Sequence, residues 1–152
     1  MYCIATLRPA TAEDLDKVSF QNDPTDNRCW SYVGRQEGTQ KVQLSDYCSS
    51  HKVILHQFMH SIGFYHEHVR PDRDNYVKIH PNCIRNGGNQ NFKIQPTSLT
   101  FGLPYDAKTV MHYTSTDFSN SKNCKTITSV VMTFHSTNYA KSYLMLHFQT
   151  NI

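Results

Sequence analysis

Three histidines stand close together in the segment ILHQFMHSIGFYHEH, residues 54–68. On a helix, His56 and His60 are one turn apart and project from the same face, so both imidazoles can reach one ion. Gly63 permits a sharp turn through positive φ, which brings His66 back as a third ligand. Three neutral nitrogens leave a fourth tetrahedral position for water, as in a catalytic rather than a structural zinc site. The spacing therefore predicts one Zn²⁺ per chain.

The residue after the first of these histidines is Gln57, where zinc hydrolases with this spacing carry a glutamate. In such enzymes the carboxylate takes a proton from the attacking water and passes it to the leaving amine. An amide oxygen is essentially non-basic, and the amide NH₂ group is only a donor. General-base catalysis is commonly worth about 10²- to 10⁴-fold, so little hydrolysis is expected. Zinc binding should survive, because residue 57 is not a ligand.

The other six histidines lack this spacing. We therefore expect each of them to be a surface or packing residue. They are His51, His68, His80, His112, His135 and His147.

The composition fits one globular domain. The 152 residues are 38% hydrophobic and 18% charged, and the apolar residues are spread along the chain. The net charge of +3 comes from scattered Lys and Arg without a run of like charge, so no nucleic-acid partner is expected. No apolar run approaches the roughly 20 residues that cross a bilayer, and the first residues lack the features of a signal peptide. We expect no membrane association and no export signal in the chain as written.

Residues 29–34 (CWSYVG) and 40–44 (QKVQL) are short β-type runs. The turn-forming RQEGT between them predicts a hairpin or two neighbouring strands. Residues 70–101 are rich in Pro, Asn, Asp and Gly, so we expect mainly loops there, with YVKIH as one short strand-like piece.

A helix is predicted from Ser49 to Ile62, where apolar residues recur at spacings of three and four. Ser49 and Ser50 are both plausible N-caps, and Gly63 is the predicted stop. The two closely spaced histidines would lie on this helix.

Five cysteines indicate disulfides rather than a thiolate zinc site, because none of them forms a C-x-x-C pair. They are Cys3, Cys29, Cys48, Cys83 and Cys124. The odd number leaves at least one thiol without a partner inside the chain.

Four motifs in order resemble the astacin family of metzincin zinc metalloendopeptidases. The string HQFMHSIGFYHEHVRPDRDNYVKI resembles the family's zinc-binding signature, and PYDAKTVMHY resembles its Met-turn segment. CWSYVGRQEGTQKVQL is similar to the strands that precede the zinc helix, and NFKI fits the intervening loop. The resemblance covers roughly Cys3 to Thr128.

The resemblance implies an α+β metzincin fold, with a twisted sheet over the zinc-binding helix and an incomplete C-terminal subdomain. Residues 1–128 would form a partial astacin-like catalytic domain, and residues 129–152 a divergent tail of unknown structure. It also implies a secreted, extracellular enzyme that cleaves polypeptide substrates. With Gln57 in place of the glutamate, we expect weak or no activity.

Carried over position by position, the resemblance makes His56, His60 and His66 the zinc ligands. Tyr113 matches the tyrosine that approaches the metal and steadies the transition state, and Met111 matches the Met-turn methionine.

Cysteine roles are also implied. Cys29 and Cys48 match a family disulfide, and Cys3 matches a cysteine whose partner lies at the far C-terminal end of the family's domain. Cys83 and Cys124 are outside the pattern, and a bond between them would leave Cys3 as the odd thiol.

Several readings of Gln57 stay open. The chain could be a non-catalytic module that binds zinc and a peptide ligand, a degenerating or misassembled gene product, or an enzyme whose sequence carries an error at one base. An inert domain in which the metal only stabilises the fold is a further class. Two smaller departures from the family are Lys52, where Gly is frequent, and Ala107, where Tyr is frequent.

Overall fold

A computed structural model describes residues 8–130. These residues form two small sheets, one α-helix and several single-turn 3₁₀ segments. In chain order the elements are β1 (Lys17–Gln21), β2 (Cys29–Ser31), β3 (Thr39–Leu44), α1 (His51–Ser61), β4 (Val77–Ile79) and β5 (Ile127–Ser129). This mixed composition agrees with the expected α+β class. Of the tail predicted at residues 129–152, the part from residue 131 onward lies outside the described residues, as do Cys3, His135 and His147.

The first sheet has the order β1-β3-β2. Strand β3 is central, parallel to β1 and antiparallel to β2, with Cys29 opposite Leu44. Strands β2 and β3 are the two neighbouring strands predicted at residues 29–34 and 40–44, although β2 is shorter than its apolar run. Strand β1 was not predicted, although KVSFQ alternates polar and apolar residues, because five residues are a short signal and the strand depends on β3 for its hydrogen bonds.

Helix α1 packs against β2 and β3. The hydroxyl of Ser50 accepts a hydrogen bond from the Val53 N–H at 3.3 Å, so the second predicted serine is the N-cap. A disulfide between Cys29 and Cys48 joins β2 to the turn before the helix, as the family resemblance implied. The helix start is therefore held both by its cap and by a covalent link to the sheet.

The end of α1 is fixed by two glycines with positive φ. The chain leaves the helix through Gly63, at φ 109°, as predicted. Gly34 follows β2 at φ 80°, and its N–H donates to the carbonyl of His60 at 2.8 Å. The backbones of the two glycines approach so closely that a Cβ on Gly34 would lie 3.8 Å from the Cα of Gly63. Both positions favour glycine because L side chains rarely adopt such φ values.

The second sheet pairs β4 with β5 in antiparallel register. Its buried cluster contains Val77, Ile84, Phe92, Tyr105 and Ile127. A second disulfide, between Cys83 and Cys124, joins the segment after β4 to the segment before β5. This bond is the pairing that the cysteine count had left open.

A buried network of charged side chains surrounds Arg70. Arg70 has only 1% of its side chain exposed, and its guanidinium donates to Glu67 Oε1 at 2.8 Å. It also makes two bonds to Asp72, at 2.8 and 2.9 Å, and donates to the carbonyls of Leu103 and Pro104. The segment after His66 is thereby tied to the loop that leads into the Met-turn.

No helix among residues 8–130 is long and apolar enough to span a bilayer.

Removal of this guanidinium should destabilise the domain strongly. In an Arg70→Met variant the buried Glu67 carboxylate would lose its cation, a change that typically costs about 3–5 kcal/mol. Urea unfolding with the disulfides intact would measure it. Arg28→Met is the matched control, because Arg28 pairs with Asp26 at the surface and should contribute little. Equal unfolding midpoints for the two variants would contradict a structural role for the network.

Candidate metal centre

The three predicted ligands converge on one point. The Nε2 atoms of His56, His60 and His66 are 3.1 to 3.2 Å from one another, and together they form a group able to hold a metal ion. Tetrahedral zinc with Zn–N bonds of about 2.0–2.1 Å places its nitrogens about 3.3 Å apart. The observed triangle has nearly that size.

The ring orientations show which nitrogens face the triangle. The Nδ1–H of His56 donates to the carbonyl of Val110 at 2.7 Å, and the Nδ1–H of His60 donates to the carbonyl of Phe64, also at 2.7 Å. Because a carbonyl oxygen only accepts, each of these rings carries its proton on Nδ1 and presents an Nε2 lone pair to the centre. Lone pairs at such short separations repel one another unless a cation lies between them. This donor set fits a zinc ion.

Burial supports the neutral form of these rings. Burial, followed by the neighbouring His56, lowers the pKa of His60 to about 4. Burial, followed by His60 and the other nearby imidazoles, lowers the pKa of His66 still further. Neutral imidazole is the form that ligates a metal, so these two ligands do not have to lose a proton at neutral pH.

Local structure positions each ligand. His56 and His60 are one turn apart on α1, and the turn at Gly63 reverses the chain so that His66 faces them. The N–H of Glu67 donates to the carbonyl of Met111 at 2.9 Å, which fixes the backbone directly after the third ligand. Sequence reasoning predicted the helix and the glycine turn but not this hydrogen bond.

Gln57 is buried beside the ligands, with 7% of its surface exposed. Its Nε2 donates to the carbonyl of Cys29 in β2 at 3.3 Å. Its Oε1 is buried and has no hydrogen-bond partner among residues 8–130. This acceptor can therefore receive a hydrogen bond from a water molecule or a ligand at the site.

Met111 lies in an apolar cluster with Met59 and Phe64, and all three are buried. Residues Leu55, Ile62 and Val110 pack around them. The cluster joins the buried side of α1 to the Met-turn segment. This position suits a packing role for Met111, since a thioether fills an irregular space without adding charge.

Tyr113 lies within a stack of rings beside the ligands. Its ring centroid is 4.6 Å from that of His66, 4.0 Å from His68 and 5.5 Å from Phe118. Burial, followed by the nearby Asp117 carboxylate, raises the pKa of Tyr113 to about 12. The phenol is therefore protonated at neutral pH and available as a hydrogen-bond donor.

His68 and His112 both contact Tyr113. His68 is fully buried, and its Nε2–H donates to the carbonyl of Asn91 at 2.9 Å. His112 bonds to the Tyr105 hydroxyl and to the Tyr113 carbonyl, both at 2.6 Å. Both act as packing residues, one of the two roles expected for them. His112 is adjacent to Tyr113 in the sequence, whereas no spacing rule would have found the contact between His68 and Tyr113.

A cleft of about 490 Å³ opens beside His56 and Gln57. It is bounded on one side by α1 and on another by the Met-turn segment, residues 104–113. The lining residues include Cys29, Lys52, His56, Gln57, Lys108 and Asp117. A peptide bound in this cleft would lie against one metal ligand and the amide of Gln57.

Comparisons with known proteins agree with this geometry. The family profile described as Astacin (Peptidase family M12A) matches residues 2–142, which extends past residue 128, the limit expected from the motifs. The chain is 41% identical over 116 residues to zinc metalloproteinase nas-14 of Caenorhabditis elegans, covering 74% of this chain and 23% of that protein. It is 38% identical over 105 residues to meprin A subunit beta of Rattus norvegicus, covering 67% and 15%.

Among solved structures, high choriolytic enzyme 1, a hatching enzyme zinc-protease from Oryzias latipes, superimposes with a TM-score of 0.74 at 30% identity. The match covers 82% of this chain and 60% of that one. The chain spans about a quarter of the length of the first curated relatives it matches. From the family profile, the relatives and the shared fold, this chain belongs to the astacin family of zinc metalloproteases.

Proposed function

We propose that this chain is an astacin-like zinc metalloendopeptidase domain that binds extended polypeptides and, as written, hydrolyses them weakly or not at all. One observation carries the proposal. A triangle of three Nε2 atoms of the size zinc requires lies beside a buried amide, where a general base is needed. The scaffold and the metal site support the family's activity, whereas residue 57 opposes it.

The proposed roles follow from the donors and acceptors in the site. His56, His60 and His66 would hold a zinc ion, which when bound would supply Lewis-acid chemistry toward the peptide carbonyl and a water molecule. Oε1 of Gln57 can accept a hydrogen bond from that water and orient it, but it cannot accept the proton. The protonated hydroxyl of Tyr113 would donate to the oxygen on which negative charge develops.

Substrate binding would use the edge of the first sheet. Strand β2 is at one end of the order β1-β3-β2, so its outer edge is unpaired among the described strands. Cys29, at the start of β2, also lines the cleft. An extended peptide can add to such an edge through backbone hydrogen bonds and so pass across the metal site.

A second candidate function is zinc-dependent peptide binding without cleavage. It is favoured by the Gln57 amide, which forms a defined hydrogen bond to β2 instead of leaving a gap. The binding edge and the metal site would serve such a module equally well. In either case the two disulfides favour a secreted protein, because such bonds persist in oxidising compartments.

Zinc should bind in a 1:1 ratio and raise the melting temperature, because the ion binds the folded state preferentially. His60→Gln should remove most of this effect, since it deletes one of three ligands. Elemental analysis and thermal melts with and without a chelator would measure both. His51→Gln is the matched control, because His51 is exposed at the start of the same helix. Full zinc occupancy in His60→Gln would show that the triangle is not the metal site.

Gln57→Glu should restore cleavage of a denatured protein by about 10²- to 10⁴-fold, because it supplies the missing general base. Both forms should hold zinc equally. The double variant Gln57→Glu, His60→Gln should be inactive, which excludes a contaminating protease. Equal cleavage by the original chain and the revertant would refute the role assigned to residue 57.

Tyr113→Phe in the Gln57→Glu background should lower kcat with little change in KM, because the hydroxyl would act mainly in the transition state. The ring stack with His68 and Phe118 should keep the phenyl group in place. Steady-state kinetics would measure the effect, and a melting curve would check the fold. A variant with unchanged kcat would rule out this role for the hydroxyl.

A further inference from the structure

We infer that the disulfide between Cys83 and Cys124 is a redox-sensitive switch that holds the loop of residues 118–124 in place beside Tyr113. The two cysteines are outside the family's pattern in the sequence, and the structure joins them. Reduction of this bond by a dithiol should open the loop and leave the rest of the domain folded. The consequence for catalysis rests on the proposed function, because it concerns the tyrosine hydroxyl used there.

This disulfide is more accessible than the one in the first sheet. Cys83 and Cys124 are both partly exposed, whereas Cys48 has only 1% of its surface exposed. A reducing thiolate must reach one sulfur and expel the other. Burial blocks attack on Cys48, and attack on Cys29 would release a thiolate at the buried Cys48, where the loss of hydration disfavours charge. A reductant should therefore open the Cys83–Cys124 bond first.

Positive charge favours release of a thiolate from Cys124. Lys125 follows this cysteine directly, Lys122 is two residues before it, and both lysines are exposed. The ion pairs among residues 8–130 involve neither lysine. Nearby cations stabilise a thiolate, and a more stable thiolate leaves faster in disulfide exchange. We therefore expect the reductant to attack Cys83.

The exchange is balanced in atoms and electrons. One thiolate of a dithiol reductant attacks Sγ of Cys83, the Sγ–Sγ bond breaks, and Cys124 leaves as a thiolate that takes a proton from water. The second thiol of the reductant then loses its proton, attacks the mixed disulfide and displaces Cys83, which is protonated in turn. The reductant loses two electrons and becomes a disulfide, and the protein gains two thiols.

The loop has few attachments apart from this bond. None of residues 118–124 is buried. The N–H of Asn120 donates to the carbonyl of Cys83 at 2.8 Å, and the N–H of Arg85 donates to the carbonyl of Phe118 at 2.9 Å. Segments with few buried contacts open at a low free energy. Without the covalent link, these surface hydrogen bonds should open long before the core of the domain.

The base of the loop is held separately by a buried residue. Thr126 is fully buried, and its N–H donates to the carbonyl of Ser115 at 2.9 Å. Its hydroxyl donates to the carbonyl of Asp117 at 2.8 Å. Neither hydrogen bond depends on the disulfide, so the opening should be confined to residues 118–124.

Phe118 would not keep its present conformation in an open loop. Its φ is 57°, in the left-handed region that a bulky L side chain rarely adopts. Such a conformation persists only where the surrounding structure enforces it. Its ring centroid is 5.5 Å from that of Tyr113 and 4.8 Å from the guanidinium carbon of Arg85. Release of the loop should let Phe118 relax and remove a stacking partner from Tyr113.

Peptide mapping tests which bond is reduced first. The whole chain, with Cys3→Ser so that the odd thiol cannot exchange, is treated with graded dithiothreitol, quenched, alkylated and digested. Cys83 and Cys124 should be alkylated about tenfold faster than Cys29 and Cys48. Equal rates, or a faster reaction of the second pair, would overturn the inference.

Hydrogen exchange of the zinc-loaded chain tests what the bond controls. The variant Cys83→Ser, Cys124→Ser avoids a thiol reductant, which would itself bind zinc. Its peptides from residues 118–124 should exchange about tenfold faster, whereas those from β3 should be unchanged. The matched control is Lys122→Ser, Asn123→Ser, which changes two exposed residues of the same loop, keeps the disulfide and should exchange like the original chain.

Two results of this measurement would contradict the switch. Faster exchange throughout the domain, or failure of the serine variant to fold, would mean that the bond stabilises the whole structure. Unchanged exchange in residues 118–124 would mean that the bond does not control the loop.

Nitration gives a readout of Tyr113 that does not require activity. Tetranitromethane modifies accessible phenols, and peptide mapping identifies each modified tyrosine. In the serine variant, with Cys3→Ser, Tyr113 should be nitrated several times faster than in the disulfide-bonded chain. Tyr47, which is 82% exposed, should react equally in both forms. An unchanged rate at Tyr113 would remove the proposed link between the loop and the site.

Kinetics separate the switch from the proposed function. In the Gln57→Glu background, loss of the disulfide should lower kcat about tenfold with little change in KM, and Tyr113→Phe should then add no further loss. A full additional loss from Tyr113→Phe would show that the bond does not act through this tyrosine and would overturn the inference. Faster exchange and nitration in a chain that stays inactive with Gln57→Glu would refute the proposed function and leave the switch supported.

Discussion

The site depends on the repulsion between three imidazole lone pairs that the fold holds at 3.1 to 3.2 Å. Hydrogen bonds from Nδ1 of His56 and His60 to backbone carbonyls prevent those rings from turning away. Burial removes the alternative of protonation, because a charged imidazole would lose its hydration. A cation between the three nitrogens would relieve this repulsion. The helix, the glycine turn and the Met-turn segment together hold the nitrogens in place.

The buried charge network around Arg70 fixes the segment that follows the third ligand. Arg70 satisfies Glu67, and Glu67 Oε1 also accepts the N–H of Asp106 at 2.9 Å. The residue after the third ligand is therefore bonded to both the start and the end of the Met-turn segment, since its own N–H reaches the Met111 carbonyl. Displacement of this segment would break several buried hydrogen bonds at once. The position of His66 therefore depends on the whole loop region and not on one side chain.

The sequence allowed the metal site to be predicted because its signals are local. The spacing of His56 and His60, a capping serine and Gly63 each act within a few residues, and the structure has the helix from His51 to Ser61 that these signals indicate. Non-local features were not predictable in this way. Strand β1 needs β3 as its partner, the Arg70 network needs carbonyls from residues 103 and 104, and the stack around Tyr113 joins residues about 45 positions apart. Apart from the short polar–apolar alternation in β1, these contacts leave no periodic pattern in the sequence.

Gln57 is expected to affect metal binding and catalysis differently. An amide has almost the shape of a carboxylate, so it fills the same buried position and bonds to β2 without disturbing the ligands. A glutamate there would place a buried negative charge beside the imidazoles, and the metal would be needed to stabilise it. The neutral amide removes this cost in the metal-free protein, but it also removes a negative charge that would attract the ion. Under the proposed function, the amide would weaken the coupling between metal and fold, and it would remove the carboxylate through which a proton could be transferred.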